Sequence, residues 1–372
     1  MGDRPQRVHR RLLAVNPTGI VSGAELALLR LLDAARNDGW DVAVAAPPGP
    51  LVARIEALGL RRVEIPDLKL AALPRVLAVP VTATRWLRAA PALHRAASGA
   101  DLVLTNGLLA LPALRFARIR APVVWFVHDV IGRRDRLALL RRFGSVVDVA
   151  IAPSDAVTPP LRARGLEIRL VRNGTLFPVA PAPVVAPAPP VVGAVALLTQ
   201  WKGLHVLLDA VGRLARDDVV VEIMGGVLPG DESYAAGLHH RAAEPDLAGR
   251  VRFLGQVAEP LERMRGWALM VSASVEPEAA PLSVLEAMSI GLPIVGTDHG
   301  GTPEVLGDAG LLVEPGDVEA MATAIERLLD DAVLRQRCAQ AGPRIVANGL
   351  TLEQNTAGLL GTLGEVADGV GT

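Results

Sequence analysis

Two carboxylates stand eight positions apart in Glu278-Ala-Ala-Pro-Leu-Ser-Val-Leu-Glu286-Ala-Met288, a segment that runs on to Gly291-Leu-Pro293. The polar start and apolar continuation predict a loop entering a buried helix. A glutamate is rarely buried without a partner, so Glu286 either faces solvent or binds something polar. An ordinary helix with one wet face explains the spacing equally well. Lys202-Gly203 precedes the apolar run Leu204–Leu208. At such a strand-to-helix junction a lysine can neutralise a diphosphate, or simply sit on the surface. His128-Asp129 follows the apolar run Val123–Val127. The imidazole titrates near neutrality, and Asp129 either orients it or begins the next loop. The remaining histidines, His9, His94, His205, His239, His240 and His299, form no recognised metal spacing.

The elements around these residues alternate. Short apolar strands are expected at Leu12–Val15, Trp40–Ala45, Leu102–Leu104, Val123–Val127 and Val147–Ile151, with a helix over Ala24–Ala35. After a proline-dense break, Pro178 to Pro190, the pattern resumes. Strands are expected at Val192–Leu198, Val219–Met224, Val251–Leu254, Leu269–Val271 and Ile294–Val295, with a helix over Leu204–Leu214. This alternation predicts α/β architecture with mostly parallel sheets covered on both faces. Proline at that density reads as an extended linker. The expected organisation is an N-terminal Rossmann-like domain over 1–178, a linker over 179–190, a C-terminal Rossmann-like domain over 191–350 and a final helix within 351–372.

The Glu278-to-Pro293 segment resembles the signature of retaining, nucleotide-sugar-dependent glycosyltransferases of family 4. Those enzymes have the GT-B architecture, two Rossmann-like domains facing across a cleft, and the resemblance implies that the final helix within 351–372 crosses back to the N-terminal domain. The resemblance assigns Glu278 to the hydroxyls of the donor sugar, Glu286 to the nucleotide ribose and Lys202 to the diphosphate. It assigns His128 to the sugar's hydroxymethyl group, so His128, Lys202 and Glu278 are the expected catalytic set. Gly225, Phe253 and the backbone of Leu282 and Ser283 complete the implied donor site. Gly19-Ile-Val-Ser-Gly23-Ala-Glu25 resembles the family's glycine-rich loop, with Gly23 near the donor phosphate and Ser22 where a glycine is usual. A positive φ at Ser22 would be harder to meet. Three further departures stand out: Leu197 replaces an arginine, Pro281 a glycine and Ala280 a bulky aromatic. Proline fits a first helical turn but lacks an N–H. No Asp-x-Asp site is seen, so no metal or other cofactor is expected; the leaving diphosphate accepts the acceptor's proton.

The acceptor is poorly encoded. Glu25, Asp129, Arg133 and Arg134 are its candidate contacts. Arg133, Arg134, Arg136, Arg141 and Arg142, interleaved with Leu137, Leu139, Leu140 and Phe143, read first as a solvated helix face. The other readings are a membrane-facing amphipathic helix and a site for an anionic acceptor. Arg75, Arg85 and Arg88 add a weaker patch. Residues 1–178 hold 26 Lys/Arg against 14 Asp/Glu and the remainder 12 against 25, a strong asymmetry inside a net charge of -1. It allows peripheral contact with an anionic membrane. Nucleic acid is not expected, because one Tyr, five Phe and five Trp offer little to stack bases. A single cysteine, Cys338, and the lack of an apolar run long enough for a membrane span fit a cytoplasmic protein. The sequence therefore predicts transfer of a hexosyl or N-acetylhexosaminyl group from an NDP-sugar, UDP before GDP, to a small-molecule or lipid-linked hydroxyl. The alternatives are an inactive nucleotide-sugar-binding regulatory subunit and a pseudo-glycosyltransferase joining cyclitols. Oligomeric state is not encoded.

Overall fold

The computed structural model describes residues 10–69, 75–177 and 188–369. Most of the proline-dense segment, and the side chain of Arg75, lie outside the described residues. Two compact units are present. One joins the chain up to Val171 with the stretch from Thr356 onward, and the other spans Arg172–Asn355.

The first unit holds strands β1 (Arg11–Val15), β2 (Asp41–Ala46), β3 (Arg61–Glu64), β4 (Leu102–Thr105), β5 (Val123–Phe126), β6 (Val149–Ala152) and β7 (Glu167–Leu170). They form a wholly parallel sheet in the order β3-β2-β1-β4-β5-β6-β7. Every residue of β4, β5 and β6 is buried, as a parallel sheet covered on both faces requires. The helix Gly23–Asn37 buries Leu28, Leu29, Leu31, Leu32 and Ala35 against this sheet. The helix Leu352–Ala367 adds Leu359, Leu363 and Val366 to the same core. Their spacing puts them on one helix face, and each full burial contributes roughly 1.5–3 kcal/mol before entropy is counted.

The second unit holds β8 (Val191–Val195), β9 (Val220–Met224), β10 (Val251–Gly255), β11 (Leu269–Ser272), β12 (Ile294–Thr297) and β13 (Gly310–Val313). This sheet is also parallel, in the order β10-β9-β8-β11-β12-β13. In both sheets the strand order reverses once, between β1 and β4 and between β8 and β11. Loops leaving neighbouring strands diverge at such a point and open a crevice beyond the carboxyl ends, where ligands of open α/β sheets collect.

Three strands escaped the sequence reading: β3, β7 and β13. All lie at sheet edges and none is fully buried. An edge strand needs no continuous apolar run, so Arg61-Arg-Val-Glu64 and Glu167-Ile-Arg-Leu170 carry too little hydrophobic signal.

Candidate active site

In the N-terminal unit, β1 and β4 run in register from Leu12 opposite Leu102 to Val15 opposite Thr105. The next residues, Asn16 and Asn106, therefore sit side by side at the reversal point. A hydrogen bond from the Asn106 N–H to the Val15 carbonyl, 2.9 Å, fixes that placement. Asn106 Nδ2 donates to Asn16 Oδ1 at 2.7 Å, and Asn106 Oδ1 lies 2.7 Å from His128 Nε2. Asn16 Nδ2 in turn reaches the Thr18 carbonyl at 2.7 Å and Glu25 Oε1 at 3.4 Å. His128 follows β5 and its ring packs on Phe126, with centroids 4.2 Å apart. Burial lowers its pKa to about 4, so the imidazole is neutral at pH 7.

Glu25 is buried in the first turn of its helix and accepts from the Ser22 N–H at 3.0 Å and from Ser22 Oγ at 2.5 Å. Ser22 is the N-cap with φ −132°, so the expected backbone penalty does not arise. Gly23 opens the helix at the surface. Asp129 is exposed and makes no bond to His128; Asn106, not Asp129, orients the ring. Arg133 pairs with Asp135 at 3.1 Å, and Arg134 begins an exposed turn of the helix Arg134–Phe143. The apolar face of that helix is used within the unit. Leu140 is buried, and Phe143 meets Trp86 and Phe116 edge-on.

The C-terminal unit brings together residues far apart in sequence. Lys202 Nζ lies 2.5 Å from Glu278 Oε2, with both side chains largely buried, and 4.3 Å from the Trp201 ring centroid. The other Glu278 oxygen accepts a short hydrogen bond from Ser274 Oγ. Lys202 follows β8, while Ser274 and Glu278 follow β11, the two strands flanking this sheet's reversal point. A lysine held beside a carboxylate can turn to an incoming phosphate while the carboxylate accepts hydroxyl protons.

Pro281 is the N-cap of the helix Leu282–Ser289, with φ −69° and ψ 115°, so its missing N–H costs no helical bond. The N–H groups of Leu282 and Ser283 have no partner among the described residues, while those of Val284 and Leu285 turn to the Pro281 carbonyl. Two free amides at a helix start attract an anion. Glu286 is half-buried on this helix, one turn further on. Leu197 is half-buried in the loop after β8. Gly225 follows β9 with φ +155°, and a Cβ there would meet the Ala196 carbonyl oxygen at 1.8 Å. The Phe253 ring in β10 rests on His239 at 4.1 Å.

Sequence reasoning missed Asn16, Asn106 and Ser274 as site residues, and two further contributors on one turn. The turn Gly300-Gly301 holds Glu278 by its backbone, through a 2.7 Å bond from the Gly301 N–H to the Glu278 carbonyl. His299, on the same turn, has both ring nitrogens buried without a hydrogen-bonding partner among the described residues. Burial draws its pKa down, opposed by the Glu278 carboxylate. Cys338 is buried in the helix Ala332–Ala347 and takes no part. Among the described residues no three His, Cys, Asp or Glu side chains gather as a metal site, and no helix is long and apolar enough to cross a membrane.

Two Rossmann-like units, each with its polar residues at the sheet's reversal point, match the GT-B architecture. The comparisons agree. Residues 21–175 match the model described as Glycosyltransferase Family 4, and residues 189–331 match Glycosyl transferases group 1. The phosphatidyl-myo-inositol mannosyltransferase of Mycobacterium leprae is 30% identical over 348 residues, 88% of this chain and 89% of that protein. Its counterpart from Mycolicibacterium smegmatis is 29% identical over 341 residues, 85% and 83% of the two chains. Anabaena Alr3699/HepE in complex with UDP and glucose superposes with TM-score 0.79 at 24% identity, covering 96% of this chain and all of that one. Sucrose-phosphate synthase from Thermosynechococcus elongatus gives 0.79 at 21%, covering 96% and 98%. The chain belongs to glycosyltransferase family 4, whose reaction moves a sugar from an NDP-sugar donor to an acceptor hydroxyl.

Proposed function

We propose that this chain is a retaining transferase carrying a hexosyl or N-acetylhexosaminyl group from a UDP-linked donor to a hydroxyl of a small or lipid-linked acceptor. The observation that carries the donor side is the Lys202–Glu278–Ser274 cluster beside the free amides of Leu282 and Ser283. Lys202 and those amides take the diphosphate, Glu278 the sugar hydroxyls and Glu286 the ribose, with Gly225 and Phe253 lining the nucleotide. As the bond from the anomeric carbon to the diphosphate oxygen breaks, the acceptor oxygen bonds that carbon on the same face. The acceptor's proton passes to the leaving diphosphate oxygen. Preorganised positive charge stabilises that oxygen, so the transfer step is assigned no metal. His128 positions the sugar as a neutral imidazole. The N-terminal unit is the acceptor side, with the exposed Asp129 near it; Glu25, expected as an acceptor contact, is buried with both oxygens met by Ser22, Thr18 and Asn16 and does not touch the acceptor.

UDP is favoured by the bound UDP of the Anabaena protein, and a lipid-linked acceptor by the names of the mycobacterial relatives. Any membrane contact is peripheral, at the cytoplasmic face, and electrostatic through Arg134, Arg141 and Arg142. The test incubates the protein with UDP-glucose or UDP-N-acetylglucosamine and vesicles containing phosphatidylinositol. UDP release and an axial product linkage are expected, with vesicle binding weakened by salt. Release of UDP with an equatorial product would refute retention; salt-independent vesicle binding would refute the electrostatic contact.

A further inference from the structure

Every bond in the buried chain joining Glu25 to His128 has a polarity fixed by chemistry. Glu25 as a carboxylate only accepts, and it is met by Ser22 N–H and Ser22 Oγ on one oxygen. Thr18 Oγ1 at 3.3 Å and Asn16 Nδ2 at 3.4 Å approach the other. Asn16 Nδ2 also faces the Thr18 carbonyl, so the amide group of Asn16 points toward acceptors at both its contacts. Its Oδ1 is thereby turned to Asn106, which must donate through Nδ2; a second, longer contact from that Nδ2 to the Ala24 carbonyl, 3.5 Å, agrees. Asn106 then has only its oxygen to offer His128 Nε2. An amide oxygen cannot donate, so Nε2 must carry the proton.

We propose that Glu25 is a positioning residue that holds His128 in the Nε2–H tautomer through Asn16 and Asn106, leaving Nδ1 to accept a hydrogen bond from a substrate hydroxyl. The substrate contact rests on the functional reading above; the tautomer does not. Glu25, Asn16 and Asn106 are all at most 5% exposed, so water does not compete for their donors and the direction of one bond dictates the next. His128 Nδ1 has no partner among the described residues. A neutral ring is required for this role, and burial supplies it. The same carboxylate caps the helix Gly23–Asn37, so the helix start and the histidine proton are set by one group.

The experiment is 15N NMR of histidine-labelled protein, with the His128 signals assigned by their loss in His128→Gln. The Nε2–H form is expected at pH 7; a predominant Nδ1–H form in the unsubstituted protein overturns the inference without any variant. In Glu25→Gln one of the two acceptors that orient Asn16 is no longer acceptor-only, while the Thr18 carbonyl remains, so a partial mixture of tautomers with a roughly threefold to tenfold fall in kcat/KM is expected, while Glu25→Asp keeps an acceptor-only group and the Nε2–H form. Asn106→Leu, which leaves the helix cap intact, should lose the tautomer preference and activity as Glu25→Gln does, with UDP affinity unchanged. If both variants keep wild-type tautomer and turnover, Glu25 acts only as a cap and the inference fails. A fixed Nε2–H tautomer in a protein that transfers no sugar from any donor would overturn the functional reading instead, and would support the assignment of the proton.

Discussion

Gly300→Ala should disable the donor site from outside it. Gly300 has φ +61°, and a Cβ there would lie 2.3 Å from the Glu278 carbonyl oxygen and 2.7 Å from its nitrogen. A non-bonded contact needs roughly 3.4 Å or more, so the Glu278 backbone must retreat by about 1 Å or the turn must open. Left-handed backbone adds about 1–2 kcal/mol for a residue with a Cβ. For a unit of this size that lowers the melting temperature by roughly 2–8 °C. The larger effect is on activity. The Glu278 carboxylate is held between Lys202 and Ser274 by hydrogen bonds on both oxygens, and a misplacement near 1 Å costs about 100-fold in rate. The assay pairs thermal melting with kcat/KM for UDP-sugar. Gly300→Asn separates the two causes, because asparagine tolerates left-handed backbone yet keeps the Cβ. It should melt closer to wild type and be equally impaired in turnover. Wild-type turnover in both folded variants would show that this turn does not set the position of Glu278.

Other residues give independent checks. Lys202→Ala removes the charge facing the diphosphate and should lower kcat by about 10²–10³-fold, read as initial rates at saturating donor; an unaltered kcat removes Lys202 from the transfer step. Glu286→Ala should weaken UDP binding by about 10- to 100-fold, the value of hydrogen bonds to a charged group, and calorimetry would detect an unchanged affinity that defeats the ribose assignment. His128 has a folded-state pKa of about 4 against an ordinary value of 6.5. The unfolded chain therefore binds the extra proton first, and stability is lost as pH falls from about 6.5 to 4, by at most about 3 kcal/mol. Denaturant melts across that range should flatten in His128→Gln, and a slope identical to wild type would place the titration elsewhere.

Much of this could be read from the chain. The inner strands announce themselves because a parallel sheet buries both faces, and Val123-Val-Trp-Phe-Val127 has no polar position to hide it. Edge strands β3 and β7 were silent for the opposite reason, whereas β13, Gly310-Leu-Leu-Val313, is apolar but only four residues long and opens on a glycine. Lys202 and Glu278, 76 positions apart, were identified by motif rather than by any rule of spacing, and the geometry joins them. The asparagines were not legible. Asn16 before Pro17 looks like a turn residue, and only strand register puts it opposite Asn106. The sole local signal was an asparagine directly after each of two apolar strands, which many surface turns share. Asp129 was the natural orienter of His128 by proximity in sequence, yet residues leaving one strand end diverge, and the neighbour in space comes from β4. His299 carried no signal at all beyond lying before two glycines.

The most direct test of the account is calorimetric titration of the protein with UDP, GDP, TDP and ADP, each repeated with EDTA. The account predicts micromolar binding selective for UDP, unaffected by EDTA and weakened in Lys202→Ala. Folded protein that binds none of the four, or that binds UDP only in the absence of EDTA, would contradict it.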